Sequence, residues 1–231
     1  MAARKRRRNR RRRIGIRTIL VTVLVVLLAG AGVWLVGFSS VLAVRDISVS
    51  GAKLLSEDQV RDTAQVPLGV PLARLDTDRI GSRLADLPPV RSVDVSRSWP
   101  HTLHIEIIER TPRFVAHNKG TWMLVDDTGF GYSEVNEAPE DLVVAKEVPD
   151  GEWSDTAQVV RALPSTVAER AQSVTTRGPN AIVIHLDRGV RIEWGGADRS
   201  ADKALVLSSL MTAAPNAKVY NVSAPDHPTT R

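Results

Sequence analysis

From Thr18 to Val44 the chain runs 27 residues without a charged side chain, and Ile19–Val36 is almost wholly apolar. A bilayer core about 30 Å thick needs about 20 helical residues to cross it. A helix also satisfies its own backbone in lipid. The pattern therefore predicts a single transmembrane helix over residues 18–38, with Trp34 and Phe38 suited to the aromatic belt at its far end. The rival is a cleavable secretory signal, with Ala29-Gly30-Ala31 as its cleavage site. Its apolar region would ordinarily run only about 7–15 residues, so the uncleaved anchor is the better reading.

Beyond the apolar run the periodicity changes. Ile47 and Val49 alternate with Asp46, Ser48 and Ser50 before Gly51, which reads as a strand with one buried face. Ser56 and Gln59 have capping-box spacing, and Leu55 can staple onto Val60, so a helix starts there and ends by Pro67 and Gly69. A second helix opens near Asp76, carries Ile80, Leu84 and Leu87 on one face, and stops at Pro88-Pro89. Val93 and Val95, then Leu103, Ile105 and Ile107, alternate on either side of a Trp99-Pro100-His101 turn, giving a hairpin with one wet face and one face under the helices. The order is strand, helix, helix, strand, strand.

After Pro112 helices thin out. Phe114–Ala116 and Thr121–Val125 flank an Asn118-Lys119-Gly120 turn, and Asp127-Thr128-Gly129 turns the chain again. The acidic, proline-bearing stretch 133–156 reads as loop with at most short strands, followed by a helix around Asp155–Leu163. Ile182, Ile184 and Leu186 alternate, as do Val190, Ile192 and Trp194 across Asp187-Arg188-Gly189. Ser200 opens a helix with Ala204, Leu207, Met211 and Ala214 on one face, and Lys218–Ala224 is the last strand, with Tyr220 and Val222 sharing a face. The fold class is thus α+β: a spanning helix, a β-α-α-β-β unit, and a mainly antiparallel β domain with flanking helices.

Charge adds orientation. The formal net charge is +5, yet residues 1–17 hold ten basic side chains and no acid. Removing those ten from the 31 basic groups leaves 21 against 26 acidic groups, a net of −5 for the other 214 residues. A mildly acidic body is repelled by phosphate backbones, so no nucleic-acid partner is expected. The basic tail beside the span puts the N-terminus in the cytoplasm by the positive-inside rule, and residues 45–231 outside it. Cysteine is absent, which excludes disulfides, thiol nucleophiles and thiolate metal sites.

Candidate chemistry is sparse. His101 and His104 have metal-pair spacing, but residues three apart on a strand face opposite sides and His101 belongs to the turn. Asp126-Asp127-Thr128-Gly129 lacks the spaced oxygens of a calcium loop and makes an ordinary turn. No nucleophile elbow, phosphate loop or zinc-protease motif occurs. Trp34, Trp99, Trp122, Trp153 and Trp194 are too dispersed for a stacking platform. No catalytic, cofactor-binding or metal-binding residue, and no small-molecule substrate, is expected. What remains is binding by shape. A final strand leaves unpaired N–H and C=O groups for a partner strand, unless the terminal residues Pro225–Arg231 shield it.

The run Ser98-Trp99-Pro100-His101-Thr102-Leu103-His104-Ile105-Glu106-Ile107-Ile108-Glu109-Arg110-Thr111-Pro112 resembles the hairpin signature of the bacterial cell-division family FtsQ/DivIB. Val44–Gly51, Pro71–Asp76 and Leu87–Val90 are similar to that family's POTRA domain. Leu124–Gly129 and Val219–Asp226 are similar to its β domain, in the actinobacterial style. Arg113 departs from the pattern, where an apolar residue is expected. The resemblance implies a basic cytoplasmic tail (1–17), a transmembrane helix (18–38), a POTRA domain (44–112) and a β domain (113–231). It implies a non-enzymatic divisome scaffold of the plasma membrane, at the division septum, without cofactors. The implied partners are FtsB/DivIC-like and FtsL-like proteins, with other division proteins at the POTRA domain. The implied recruiting edge is Lys218, Val219, Tyr220, Asn221, Val222, Ser223 and Ala224. A membrane-anchored cell-wall ligand-binding domain and a POTRA-type export chaperone are the alternatives.

Overall fold

The computed structural model describes residues 2–118 and 120–231; of residues 2–18 and 118 only the backbone is described. The chain divides into two compact units, Met1–Ile108 and Glu109–Arg231.

The first unit opens with helix α1 (Ala2–Phe38). Its segment Ile19–Phe38 is 20 residues long, has a mean hydropathy of 2.8 and is wholly unburied by the protein. Among the described residues it is the one helix long and apolar enough to cross a membrane. There follow β1 (Asp46–Ser50), α2 (Glu57–Ala64), α3 (Thr77–Ala85), β2 (Val90–Ser98) and β3 (Thr102–Glu109). The strand order is β1-β3-β2, with β1 parallel to β3. Ser56 accepts a hydrogen bond from Gln59 N while Ser56 N donates to Gln59 Oε1, so the capping box forms as its spacing predicts. Asp76 caps α3 through Arg79 N. Leu103, Ile105 and Ile107 pack beneath Val60, Ile80 and Leu84, and this is the unit's core.

The second unit is built on nine strands: β4 (Phe114–Asn118), β5 (Thr121–Val125), β6 (Gly131–Val135), β7 (Val143–Lys146), β8 (Ala171–Thr176), β9 (Ile182–Leu186), β10 (Arg191–Gly195), β11 (Val219–Asn221) and β12 (Thr229–Thr230). Their order is β12-β11-β10-β9-β8-β7-β4-β5-β6. Most neighbours are antiparallel, as expected, but β4–β7, β7–β8 and β10–β11 are parallel. Helices α4 (Trp153–Ala162), α5 (Ser165–Ala168) and α6 (Ser200–Ala213) complete it. The main core joins Trp153, Ala157 and Leu207 of α4 and α6 to Phe114, Val174, Ile184, Ile192, Trp194 and Tyr220 of the sheet. A smaller cluster of Val115, Leu124 and Tyr132 lies apart from it. Lys119 of the expected Asn118-Lys119-Gly120 turn lies outside the described residues, although β4 and β5 pair on either side of it, Asn118 opposite Thr121.

One expectation needs correction, and two strands fill in what the pattern left open. The stretch 133–156 carries only short strands, as expected, yet one of them, β7, sits mid-sheet, bonded on both sides. The polar segment Ala171–Thr176, which shows no clean alternation, is a strand. The chain's last strand is β12, not Lys218–Ala224.

Candidate partner-binding edge

Within the expected recruiting segment the side chains divide sharply. Tyr220 and Val222 are buried in the main core, and the Tyr220 hydroxyl donates to Ala214 O at 2.6 Å. Lys218, Ser223 and Ala224 are exposed, and Val219 and Asn221 are half-buried. Alternation through the short strand turns Tyr220 and Val222 to the core and Val219 and Asn221 away from it, and beyond the strand Lys218, Ser223 and Ala224 are open to solvent. Only Val219–Asn221 forms a strand, β11.

Neither side of β11 is open. Its inner side pairs in parallel with β10, placing Tyr220 opposite Ile192. Its outer side pairs antiparallel with β12, Tyr220 opposite Thr230 and Asn221 opposite Thr229. Lys218 N and Val219 N both donate to Arg231 O, at 2.8 and 2.9 Å, and Arg231 N donates back to Val219 O at 2.9 Å. The segment expected as a free edge is therefore covered by the residues that follow it. Among the described residues the outermost strand at this end is β12. Val219 and Arg231 exchange both ladder bonds, so in an antiparallel ladder the next residue, Thr230, turns its N–H and C=O away from β11.

An ion pair ties down the chain leading to β12. Arg199 donates to both carboxylate oxygens of Asp226, at 2.7 and 3.0 Å, and to Asp202 at 3.0 Å. Those bonds from Arg199 hold the Asp226 carboxyl below its usual range. His227 N closes a turn onto Ala224 O. Asn221 Oδ1 accepts from Ser223 N and Oγ, and Asn221 Nδ2 donates to Glu193 at 2.9 Å. Gly195 at φ +79° carries the bulge in β10, and a Cβ there would press on Ser223.

Beside the edge, the sheet face that bears Thr175, Val183, His185, Arg191, Glu193 and Asn221 forms an open hollow of about 510 Å³. Thr175 Oγ1 lies 3.0 Å from His185 Nε2. Burial, with Lys146 and Arg191 nearby, pushes the His185 imidazole below its ordinary pKa. This face is polar, and the edge beyond it offers backbone groups. Such a combination suits an extended peptide better than a reacting small molecule. Among the described residues no three His, Cys, Asp or Glu side chains are grouped to hold a metal ion. His101 Nδ1 instead lies 3.7 Å from Asp46.

Two buried charged groups were not singled out by their spacing. Asp126 of the Asp-Asp-Thr-Gly turn is fully buried, accepts from Thr128 N, Thr128 Oγ1 and Phe130 N, and receives Arg110 Nη1 at 2.5 Å. Arg110 also stacks 4.5 Å over Phe130. The turn needs Gly129, because its φ is +88° and a Cβ would collide with the Ser154 backbone. Lys203 of α6 is the other, fully buried and donating to Gly196 O at 2.9 Å.

Comparison with known proteins places this architecture. Residues 42–110 match the model of the FtsQ-type POTRA domain, and residues 114–223 match that of the FtsQ/DivIB C-terminal region. A Cell division protein FtsQ from Streptomyces bingchenggensis is 37% identical over 225 residues, spanning 92% of this chain and 85% of the relative. The chain belongs to the FtsQ/DivIB family. The FtsQ of Streptomyces coelicolor is 34% identical over 90% of this chain and 85% of its own length. That of Mycolicibacterium smegmatis is 32% identical over 94% of this chain and 66% of its own length. A solved extracytoplasmic domain of DivIB from Geobacillus stearothermophilus aligns with a TM-score of 0.37 at 13% identity, covering 46% of this chain and 95% of that one. Family membership and the apolar helix together fit a single-pass membrane protein that acts in cell division.

Proposed function

We propose that this FtsQ/DivIB member is a non-enzymatic scaffold of the division machinery. Its basic tail (1–17) is cytoplasmic, its span is 18–38, and its POTRA domain (44–112) and β domain (113–231) lie outside the cytoplasm. The β domain receives an FtsB/DivIC-like partner, with an FtsL-like protein alongside. Other division proteins meet the POTRA domain. Lys218–Ala224 contribute to the partner site from behind β12, through exposed Lys218, Ser223 and Ala224.

One observation carries this reading: a nine-stranded sheet ends in a two-residue strand whose Thr230 amide and carbonyl face outward. An extended partner segment adding there gains main-chain hydrogen bonds, and the neighbouring polar face selects its side chains. Tyr220 and Val222 are unsuitable probes of binding because charging either one would damage the core. Thr230→Pro is the better probe. It removes an outward N–H while leaving the bonds between Val219 and Arg231 intact. The expected result is loss of co-purification with the FtsB-like protein, with the circular dichroism spectrum unchanged and Thr230→Ala still binding. Retained binding by a folded Thr230→Pro protein overturns the edge mechanism.

The hollow beside β9 and β10 favours a second reading, a cell-wall ligand site. Saturable calorimetric binding of soluble peptidoglycan fragments, lost in Arg191→Ala, would support it over the scaffold.

A further inference from the structure

The end of the first unit where the chain leaves α1 gathers exposed apolar side chains from three separate segments. Ser39 caps a short 3-10 turn, Ser40–Leu42, on which Val41 is 60% exposed. Ala43 bridges to Pro71, Val44 N donates to Val70 O at 2.9 Å, and Gly69 N donates to Val44 O at 3.0 Å. These bonds hold the loop 67–71 against the exit of the span, with Leu68 at its tip 64% exposed. Arg45 N and Asp46 N both donate to His101 O, at 2.9 and 3.4 Å, which brings the β2–β3 turn to the same end. There Trp99 is 50% exposed.

Two further side chains brace this end. The Arg74 guanidinium sits 4.0 Å above the Phe38 ring. Arg97 donates to the carbonyls of Leu72 and Leu75, at 2.9 and 2.7 Å, and so pins the loop carrying Arg74 to β2.

Single exposed apolar residues on a protein surface are ordinary. This grouping is different because of where it lies. Phe38 ends the 20-residue apolar segment of α1, whose length of about 30 Å matches the hydrocarbon core. The 3-10 turn that follows rises about 2 Å per residue, so Ala43 and its partners sit within about 10 Å of that boundary, at headgroup depth. Trp at that depth has its ring in apolar surroundings and its N–H in water. Arg74 and Arg45 have anionic headgroups within reach.

We infer that the POTRA-type unit docks on the bilayer surface through Leu68, Trp99 and Val41, with Arg74 seated at the headgroups, so that the span does not act as a free tether. The occupant of this surface is the lipid interface itself. This inference rests on α1 crossing the membrane.

The chain has no cysteine, so single-cysteine labelling is free of background. Full-length Leu68→Cys and Trp99→Cys proteins, each carrying an environment-sensitive fluorophore, are reconstituted in phosphatidylethanolamine–phosphatidylglycerol vesicles. Leu54→Cys is the reference. It is also an exposed leucine, but it lies past the far end of β1, about 13 Å away along the strand. Leu28→Cys, mid-span, reports on the helix. The expected result is several-fold lower iodide quenching at positions 68 and 99 than at position 54, with quenching by shallow spin-labelled lipid. Equal iodide access at 68, 99 and 54 overturns the inference. So does shielding from iodide without quenching by lipid, which would mean a protein covers the surface. Failure of deep spin-labelled lipid to quench position 28 would instead remove the span, and the docking with it.

Discussion

Asp126 shows how one side chain organises the start of the second unit. Burial alone would raise its pKa, yet hydrogen bonds from Thr128, Phe130 and Arg110 outweigh that effect and hold it below the usual 3.8. The turn Asp126–Gly129 and the Glu-Arg-x-Pro run are thereby joined, since Arg110 belongs to that run. Breaking a buried pair leaves the surviving charge uncompensated. Asp126→Ala should therefore destabilise the protein by roughly 2–4 kcal/mol, less than for a fully enclosed pair because Arg110 keeps some contact with water. A urea titration would measure this as a lower midpoint. The pH dependence has a fixed sign. A carboxyl whose folded pKa is depressed adds stability above its unfolded value, and that stability fades as pH falls through the folded value. Wild type should thus lose stability on acidification below about pH 4 more steeply than Asp126→Ala. Equal acid sensitivity would contradict the assignment. Lys203 belongs to the same scale. The apolar stripe Ala204, Leu207, Met211, Ala214 draws attention to the neighbouring face, yet Ser200, Lys203 and Leu207 are the buried residues of α6. A buried lysine next to a backbone carbonyl leaves no trace in hydrophobic periodicity.

At the level of elements, the capping box at Ser56 and Gln59 fixes where α2 begins, and Ser56→Ala should cost about 1 kcal/mol, seen as a lower melting temperature. The Arg199–Asp226 pair holds the chain that leads into β12. Arg199→Ala should speed amide exchange across 226–231 while leaving α6 largely protected. The first unit was readable almost throughout, because β1, β2 and β3 alternate cleanly and both helices carry caps. The second was readable only in part. The strands β9 and β10 announce themselves through Ile182, Ile184, Ile192 and Trp194. β7 is four residues long, parallel to both neighbours and set among acids and prolines, so its apolar run is too short to stand out. β8 buries Ser173 and Thr176 alongside Val174, which erases the contrast between its faces. β12 is two threonines. Strands held chiefly by backbone pairing give little pattern to read. The candidate site suffered for the same reason: Lys218–Ala224 was legible as a strand region, whereas the strand covering it was not.

For the molecule as a whole, the apolar helix and the two compact units are formed by a sequence that aligns along most of the length of Streptomyces FtsQ relatives. Ten basic side chains before the span predict that everything after it lies outside the cytoplasm. A Lys53→Cys protein should react with a membrane-impermeant maleimide on intact cells; reaction only after permeabilisation would reverse the orientation. The central claim is that the outward end of the large sheet is where a division partner adds a strand. Hydrogen–deuterium exchange on the full-length protein, with and without its FtsB-like partner, tests that claim most directly. The account predicts new protection concentrated at the Thr230 amide and its neighbours in 226–231. Protection appearing elsewhere, with those amides unchanged, would contradict it.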